Sequence, residues 1–121
     1  MAISNVLLSA SALEELIVER YVKTSLDIVV LAILNGKPTY GYKIIAAVHK
    51  EFGILLSPGS LYPLLHSLEE KRFIESRFEG GKIVYMATPS GKRRFQNAFE
   101  AYKRAVCTFE RFIERHGEGI L

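Results

Sequence analysis

The residues of this chain best suited to chemistry lie between Tyr40 and Tyr85, and the chemistry they suit is recognition. Ser57, Ser60, Tyr62, Pro63, His66, Ser67 and Lys71 fall in one short stretch that carries no carboxylate until Glu69 and Glu70. Hydroxyls and an imidazole can hydrogen-bond base edges in a major groove, and a surface facing phosphate must be free of anions. His66 and Ser67 are expected to reach bases. Lys71, Arg77, Lys82 and the run Lys92-Arg93-Arg94 are expected to bind phosphates, which position a protein without specifying a sequence. Lys43, Tyr40 and Tyr42 precede this stretch; either tyrosine can hydrogen-bond a phosphate. Tyr42 is the one assigned to the core with its hydroxyl at the surface. Tyr62 lies off the apolar stripe and is assigned to the DNA side, while Tyr85 stays open between core and interface.

These side chains need a scaffold, and the surrounding pattern supplies one. Gly41, Ile44, Ile45, Val48 and Phe52 recur at helical spacing after Thr39, a candidate N-cap, and Gly53 closes the helix. Ser57 and Pro58 begin the next helix as cap and first-turn proline. Leu61, Leu64, Leu65 and Leu68 then make one stripe to be buried. Pro63 is awkward inside a helix, because it removes an internal hydrogen bond. Either the regular helix starts nearer Ser60 or the break is tolerated for a reason at the site. Phe73 to Phe78 and Ile83 to Thr88, separated by Glu79-Gly80-Gly81-Lys82, predict a β-hairpin with cations near its tip. Leu26 to Leu34, apolar almost all round and followed by Asn35-Gly36, predicts a helix buried beneath the other two.

The ends of the chain predict an interface. Thr88 and Pro89 start a helix in which Phe95, Phe99, Tyr102, Val106, Phe109, Phe112 and Ile113 form a stripe, with Phe95, Tyr102 and Phe109 spaced by seven. A small domain with one core already would leave this stripe exposed unless a partner covered it. Upstream, Ser11 and Glu14 form a candidate capping box for a helix carrying Leu13, Leu16, Ile17 and Tyr21. The two terminal helices are expected to pack across a twofold homodimer, the competing arrangement being a monomer with the N-terminal helix folded onto its own C-terminal one. A dimer would set two reading helices roughly 34 to 36 Å apart on one face of a duplex, so a palindromic operator is the expected target.

Composition agrees with this division of labour. Residues 1–36 carry two basic and four acidic side chains, residues 37–94 ten and five, and residues 95–121 four of each. The positive field is thus confined to the segment holding the reading helix and hairpin. A single cysteine, Cys107, excludes an internal disulfide and fits a reducing cytoplasm. The expectation is a cytoplasmic protein with no membrane segment and no signal peptide. No phosphate-binding glycine loop and no catalytic triad can be argued from neighbouring residues, so an enzyme is not expected. No cofactor is expected, and His49, His66, His116 and Cys107 lack the close pairing of zinc ligands. The alternative reading is a winged-helix module that binds protein, which should expose apolar residues where this chain has serine, histidine and lysine. A small hydrophobic or aromatic effector between the terminal helices, against Phe99, Tyr102, Val106 or Phe109, is a further option; that these rings fill a dimer core is the preferred one.

The segment from Val30 to Thr88 closely resembles the PadR family of transcriptional regulators. The resemblance rests on Tyr40-Gly41-Tyr42-Lys43-Ile44-Ile45, Ser57-Pro58-Gly59-Ser60-Leu61-Tyr62-Pro63-Leu64-Leu65, Leu68-Glu69-Glu70 and Phe73-Ile74-Glu75-Ser76. It implies a dimeric, cytoplasmic DNA-binding repressor whose C-terminal helix makes the dimer. The chain lacks the long C-terminal helical domain of larger members and is similar to the short subfamily. The expected fold is mainly α with a small β-hairpin wing, a winged helix-turn-helix with dimerisation helices at both ends. Residues 1–24 form the N-terminal extension, 25–88 the DNA-binding domain and 89–121 the C-terminal dimerisation helix.

Overall fold

The computed structural model describes residues 9–119. Met1 to Leu8, within the expected N-terminal extension, lie outside the described residues. Five helices and three short strands follow in the order α1 (Ala10–Thr24), α2 (Leu26–Gly36), β1 (Thr39–Tyr40), α3 (Gly41–Phe52), α4 (Pro58–Glu70), β2 (Ile74–Glu79), β3 (Lys82–Ala87) and α5 (Pro89–Gly119).

Burial follows the apolar patterns closely. Val30, Leu31 and Leu34 of α2, Ile44 of α3, Leu61, Leu65 and Leu68 of α4, Ile74 of β2 and Tyr85 of β3 form one core. Leu64, on the same stripe of α4, packs against it from the edge. Each fully buried leucine or isoleucine contributes about 1.5–3 kcal/mol relative to exposure. Helix α2 lies at the centre because nearly every residue on it is apolar, and α1, α5 and β3 all pack on it.

Local chemistry sets most of the boundaries. Gly53 takes φ +69° and its N–H bonds the His49 carbonyl, so a residue without a Cβ ends α3. The Ser57 side chain accepts from the Ser60 N–H and Pro58 occupies the first turn of α4, as expected. Gly80 and Gly81, both at positive φ, make the two-residue turn of the wing, with Glu79 opposite Lys82. Thr88 starts α5: its Oγ1 accepts from the Gly91 N–H at 2.9 Å and donates to the Arg72 carbonyl at 2.7 Å.

Two expectations are corrected, and the alternative left open at Pro63 is decided. Thr39 does not cap α3. Thr39 and Tyr40 instead form β1, which pairs antiparallel with Tyr85 and Val84 and gives a three-stranded sheet of order β1-β3-β2. Two residues are too few to show a strand's alternation, so a ribbon of two strands was all the pattern could indicate. The cap of α1 is Ser9, whose Oγ accepts from the Ala12 N–H at 3.2 Å, and Ser11 already lies inside the helix. Pro63 is also inside a continuous α4 that begins at Pro58, so the helix does not restart at Ser60.

Candidate nucleic-acid interface

Helix α4 presents an outer face away from its leucines with Ser60, Tyr62, Pro63 and His66 exposed, while half-buried Ser67 and the exposed Lys71 just past the helix line a cleft together with Leu64 and Leu68. Ser57 and Ser60 are partly committed to the cap: the Ser57 hydroxyl donates to the Ser60 Oγ at 3.1 Å while accepting from its N–H. Pro63 leaves the Gly59 carbonyl without its helical donor, and Gly59 is exposed, so water or a ligand can supply one. Two carboxylates stand at the end of α4, and only Glu69 is hydrogen-bonded among the described residues. Glu69 accepts from the Ser76 hydroxyl at 2.6 Å, which turns it toward β2, and Glu70 lies 3.7 Å from the His66 Nε2. The first three turns of the face therefore carry no free anion.

Beside α4, β1 and the wing build an aromatic cleft of about 340 Å³ lined by Tyr40, Gly41, Tyr42, Tyr62, Lys82, Ile83 and Tyr85. The Tyr40 and Tyr42 rings stack at 6.2 Å, and the Lys82 ammonium sits 4.2 Å from the Tyr40 centroid with Lys43 at 5.6 Å. Such cation–aromatic contacts hold a lysine's charge in place without neutralising it. Gly41 is buried under Tyr62, and a Cβ added there would overlap the Tyr62 hydroxyl. The glycine is thus what lets Tyr62 lie across the start of α3. Sequence reasoning passed over this spacer; a glycine between two tyrosines at a helix start was the available signal.

One tyrosine stands where the sequence did not put it, and another that the sequence left open is now placed. Tyr42 is 70% exposed and not in the core, because it is one residue off the buried stripe of Gly41, Ile44 and Val48. Tyr85 is 7% exposed and belongs to the core, since it points inward from mid-β3 between Thr39 and Ser76 of the flanking strands. It is withdrawn as a DNA contact. Burial, then the neighbouring Tyr62 and Glu69, pushes its hydroxyl above the ordinary tyrosine pKa.

The expected phosphate ligands differ in how free they are. Arg77 bonds Glu79 through its Nε at 2.6 Å, so it has a partner on the wing itself, in an exposed and therefore weak ion pair. Lys43, Lys71 and Lys82 make no ion pair among the described residues. Lys92 and Arg93 are exposed on the first turns of α5, and Arg94 lies over the Phe73 ring at 5.5 Å.

The residues expected to dimerise fall into two groups. Leu16, Phe95, Tyr102 and Val106 are half-buried within the chain: Phe95 stacks on Phe99 at 5.9 Å, and Tyr102 meets Tyr21 of α1 edge-on at 5.9 Å. The Tyr102 hydroxyl is pushed up in pKa by burial and then by Tyr21. Leu13, Ile17, Phe99, Phe109, Phe112 and Ile113 are exposed, Phe109 by 61%. Part of α1 therefore does pack on the chain's own α5, while the far half of α5 carries its aromatic residues uncovered.

Comparison with known proteins bears on the same segment. The model of the transcriptional regulator PadR-like family matches residues 30–97. A protein of Streptomyces fradiae, described as an uncharacterized 37.1 kDa protein in transposon TN4556, is 35% identical over 80 residues. That stretch is 65% of this chain but only 23% of the relative, so the chain spans about a quarter of that protein's length. Among solved structures, a PadR family regulator from Eggerthella lenta superposes with a TM-score of 0.74 at 23% identity, covering 87% of this chain and 98% of the other. PadR from Bacillus subtilis, solved in complex with operator DNA, gives a TM-score of 0.56 at 27% identity over 61% of this chain and 45% of its own.

Proposed function

The chain belongs to the PadR-like family of DNA-binding transcriptional regulators, whose members are not enzymes, and from that premise we propose that it is a homodimeric repressor reading a palindromic operator. The observation that carries the reading is the outer face of α4, exposed and without a carboxylate from Pro58 to Leu68, with the cations Lys43, Lys71 and Lys82 nearby. Ser60, Tyr62, Pro63, His66 and Ser67 face the groove, with His66 and Ser67 reaching base edges. Tyr40, Tyr42, Lys43, Lys71 and Lys82 hold the backbone, and Ser57 acts mainly by capping α4. Arg77 joins the backbone contacts only if it releases Glu79. The relative solved on its operator supports duplex DNA as the ligand.

Dimerisation uses the far half of α5 and the outer side of α1. Phe109, Phe112 and Ile113 are too large an apolar surface to leave in water, and a twofold partner supplies the same surface in return. On this reading residues 1–24 and 89–121 serve the dimer and 25–88 the DNA. The rings of Phe99, Tyr102, Val106 and Phe109 fill that interface and do not line a cleft for an aromatic effector. No helix among the described residues is long and apolar enough to cross a membrane; action in the cytoplasm is part of the proposal.

Selection of bound duplexes from a random pool tests the whole proposal. Recovery of an inverted repeat whose half-sites are about one helical turn apart is the expected result. A single half-site, or no enrichment at low salt, would overturn it.

A further inference from the structure

A second cleft, of about 390 Å³, opens where the end of α1, the start of α2, the flank of α4 and the first turns of α5 meet. That volume lies within the roughly 300–1,000 Å³ usual for small-molecule sites. Three cations line it, Lys23, Lys71 and Arg94, against one carboxylate, Asp27, a formal balance of +2. The Asp27 carboxylate is already engaged, accepting from the Ile28 N–H at 2.9 Å. Lys71 and Arg94 have no ion pair among the described residues, and Lys23 has only a surface contact with Glu19 at 3.6 Å. Like charges lining one concavity repel one another, and an anion bound among them relieves that repulsion.

The rest of the lining defines the kind of anion. Ser67 offers a hydroxyl donor, whereas Thr24 spends its own on the Arg20 carbonyl at 2.8 Å. Leu64 and Phe73 make an apolar floor, with the Arg94 guanidinium 5.5 Å from the Phe73 ring centroid. We infer that this cleft binds a phosphomonoester with a small apolar body. A phosphomonoester carries about −1.5 to −2 at neutral pH and three acceptor oxygens, which matches the net +2 of two ammoniums, a guanidinium and the Asp27 carboxylate. A carboxylate or a phosphodiester, each singly charged, would leave part of that charge unmatched. The bound ester ties α4 to α1 and α5, so it links the reading helix to the helices proposed to dimerise. Of its lining, Ser67 and Lys71 also belong to the proposed DNA face, whereas Lys23 and Arg94 do not.

The probe is phenyl phosphate, titrated calorimetrically into the full chain without DNA. Binding of one ester per chain is expected, with neutral benzyl alcohol at least tenfold weaker. Lys71→Gln and Arg94→Gln should each weaken phenyl phosphate by roughly fivefold, and Lys50→Gln, on the exposed side of α3, should leave it unchanged. Equal binding of benzyl alcohol, no heat with millimolar phenyl phosphate, or unaltered binding in both cleft variants would overturn the inference. DNA could supply the anion instead. If a duplex oligonucleotide displaces the ester and both variants lose duplex affinity by the same factor, the occupant is the DNA backbone and the ester site is refuted. A gel shift without ester reads operator binding separately, so failure of one reading does not disguise failure of the other.

Discussion

Gly91→Ala should unfold this protein more readily than any nearby exposed substitution, and the reason lies in one carbonyl. Gly91 is buried in the first turn of α5, and a Cβ built there falls on the Phe73 carbonyl oxygen. That oxygen accepts from the Thr88 N–H at 3.1 Å and lies 3.1 Å from the Thr88 Oγ1, which itself receives the Gly91 N–H. The obstacle is backbone, so no side-chain rotation can make room. Overpacking of this kind costs ~3 kcal/mol at the upper end of its range. Alanine's better helix propensity offsets about 1 kcal/mol, and pushing the wing's end away from α5 forfeits the Thr88 N–H to Phe73 carbonyl bond, about 1 kcal/mol. The net loss is about 3 kcal/mol, which for a chain of this size lowers Tm by about 12 °C. Circular dichroism melts at one fixed protein concentration read it, since dimerisation makes Tm concentration-dependent. Gly117→Ala is the control: the same change in the same helix, with nothing within 4 Å of the new Cβ, should leave Tm equal or slightly raised. A Gly91→Ala melt at or above wild type would refute the packing argument.

Other expectations concern binding, assembly and pH. His66→Ala should relax sequence preference, whereas Lys82→Ala should weaken binding to every duplex and reduce the salt slope by about one; equal losses on operator and random DNA for both variants would contradict the division of roles. Phe109→Glu and Phe112→Glu should each shift the protein to monomer in sedimentation at micromolar concentration, because each puts two unpaired carboxylates into the proposed apolar interface; a wild-type chain that already sediments as a monomer removes this interface. The raised Tyr85 hydroxyl is a stability statement: the folded state keeps a proton that the unfolded chain loses. Its contribution is fully present below the unfolded value near pH 10 and is lost as pH rises through the higher folded value, so urea midpoints should fall across that window and fall less steeply in Tyr85→Phe.

Features set by a few neighbouring residues were legible in the chain itself. The Ser57-Pro58 cap, the Gly53 stop, the leucine stripe of α4, the Gly80-Gly81 turn and the Thr88 start of α5 each depend on contacts within about one helical turn or one hairpin, so spacing and residue type suffice to locate them. The winged fold and the surface of α4 followed from these. What spacing could not reach was anything decided by residues distant along the chain. Whether a tyrosine is core or interface depends on which element covers it: Tyr85 is buried only because β1 and β2 flank it, and Tyr42 is exposed because no element packs over its side of α3. Pairing of Thr39–Tyr40 with β3, the Glu79 partner of Arg77, the spacing of Tyr62 by Gly41, and the meeting of Lys23, Lys71 and Arg94 belong to the same class. Local sequence determines which elements form and which face of each is apolar. The tertiary structure alone decides which polar side chains converge, because convergence is a property of how those faces are stacked.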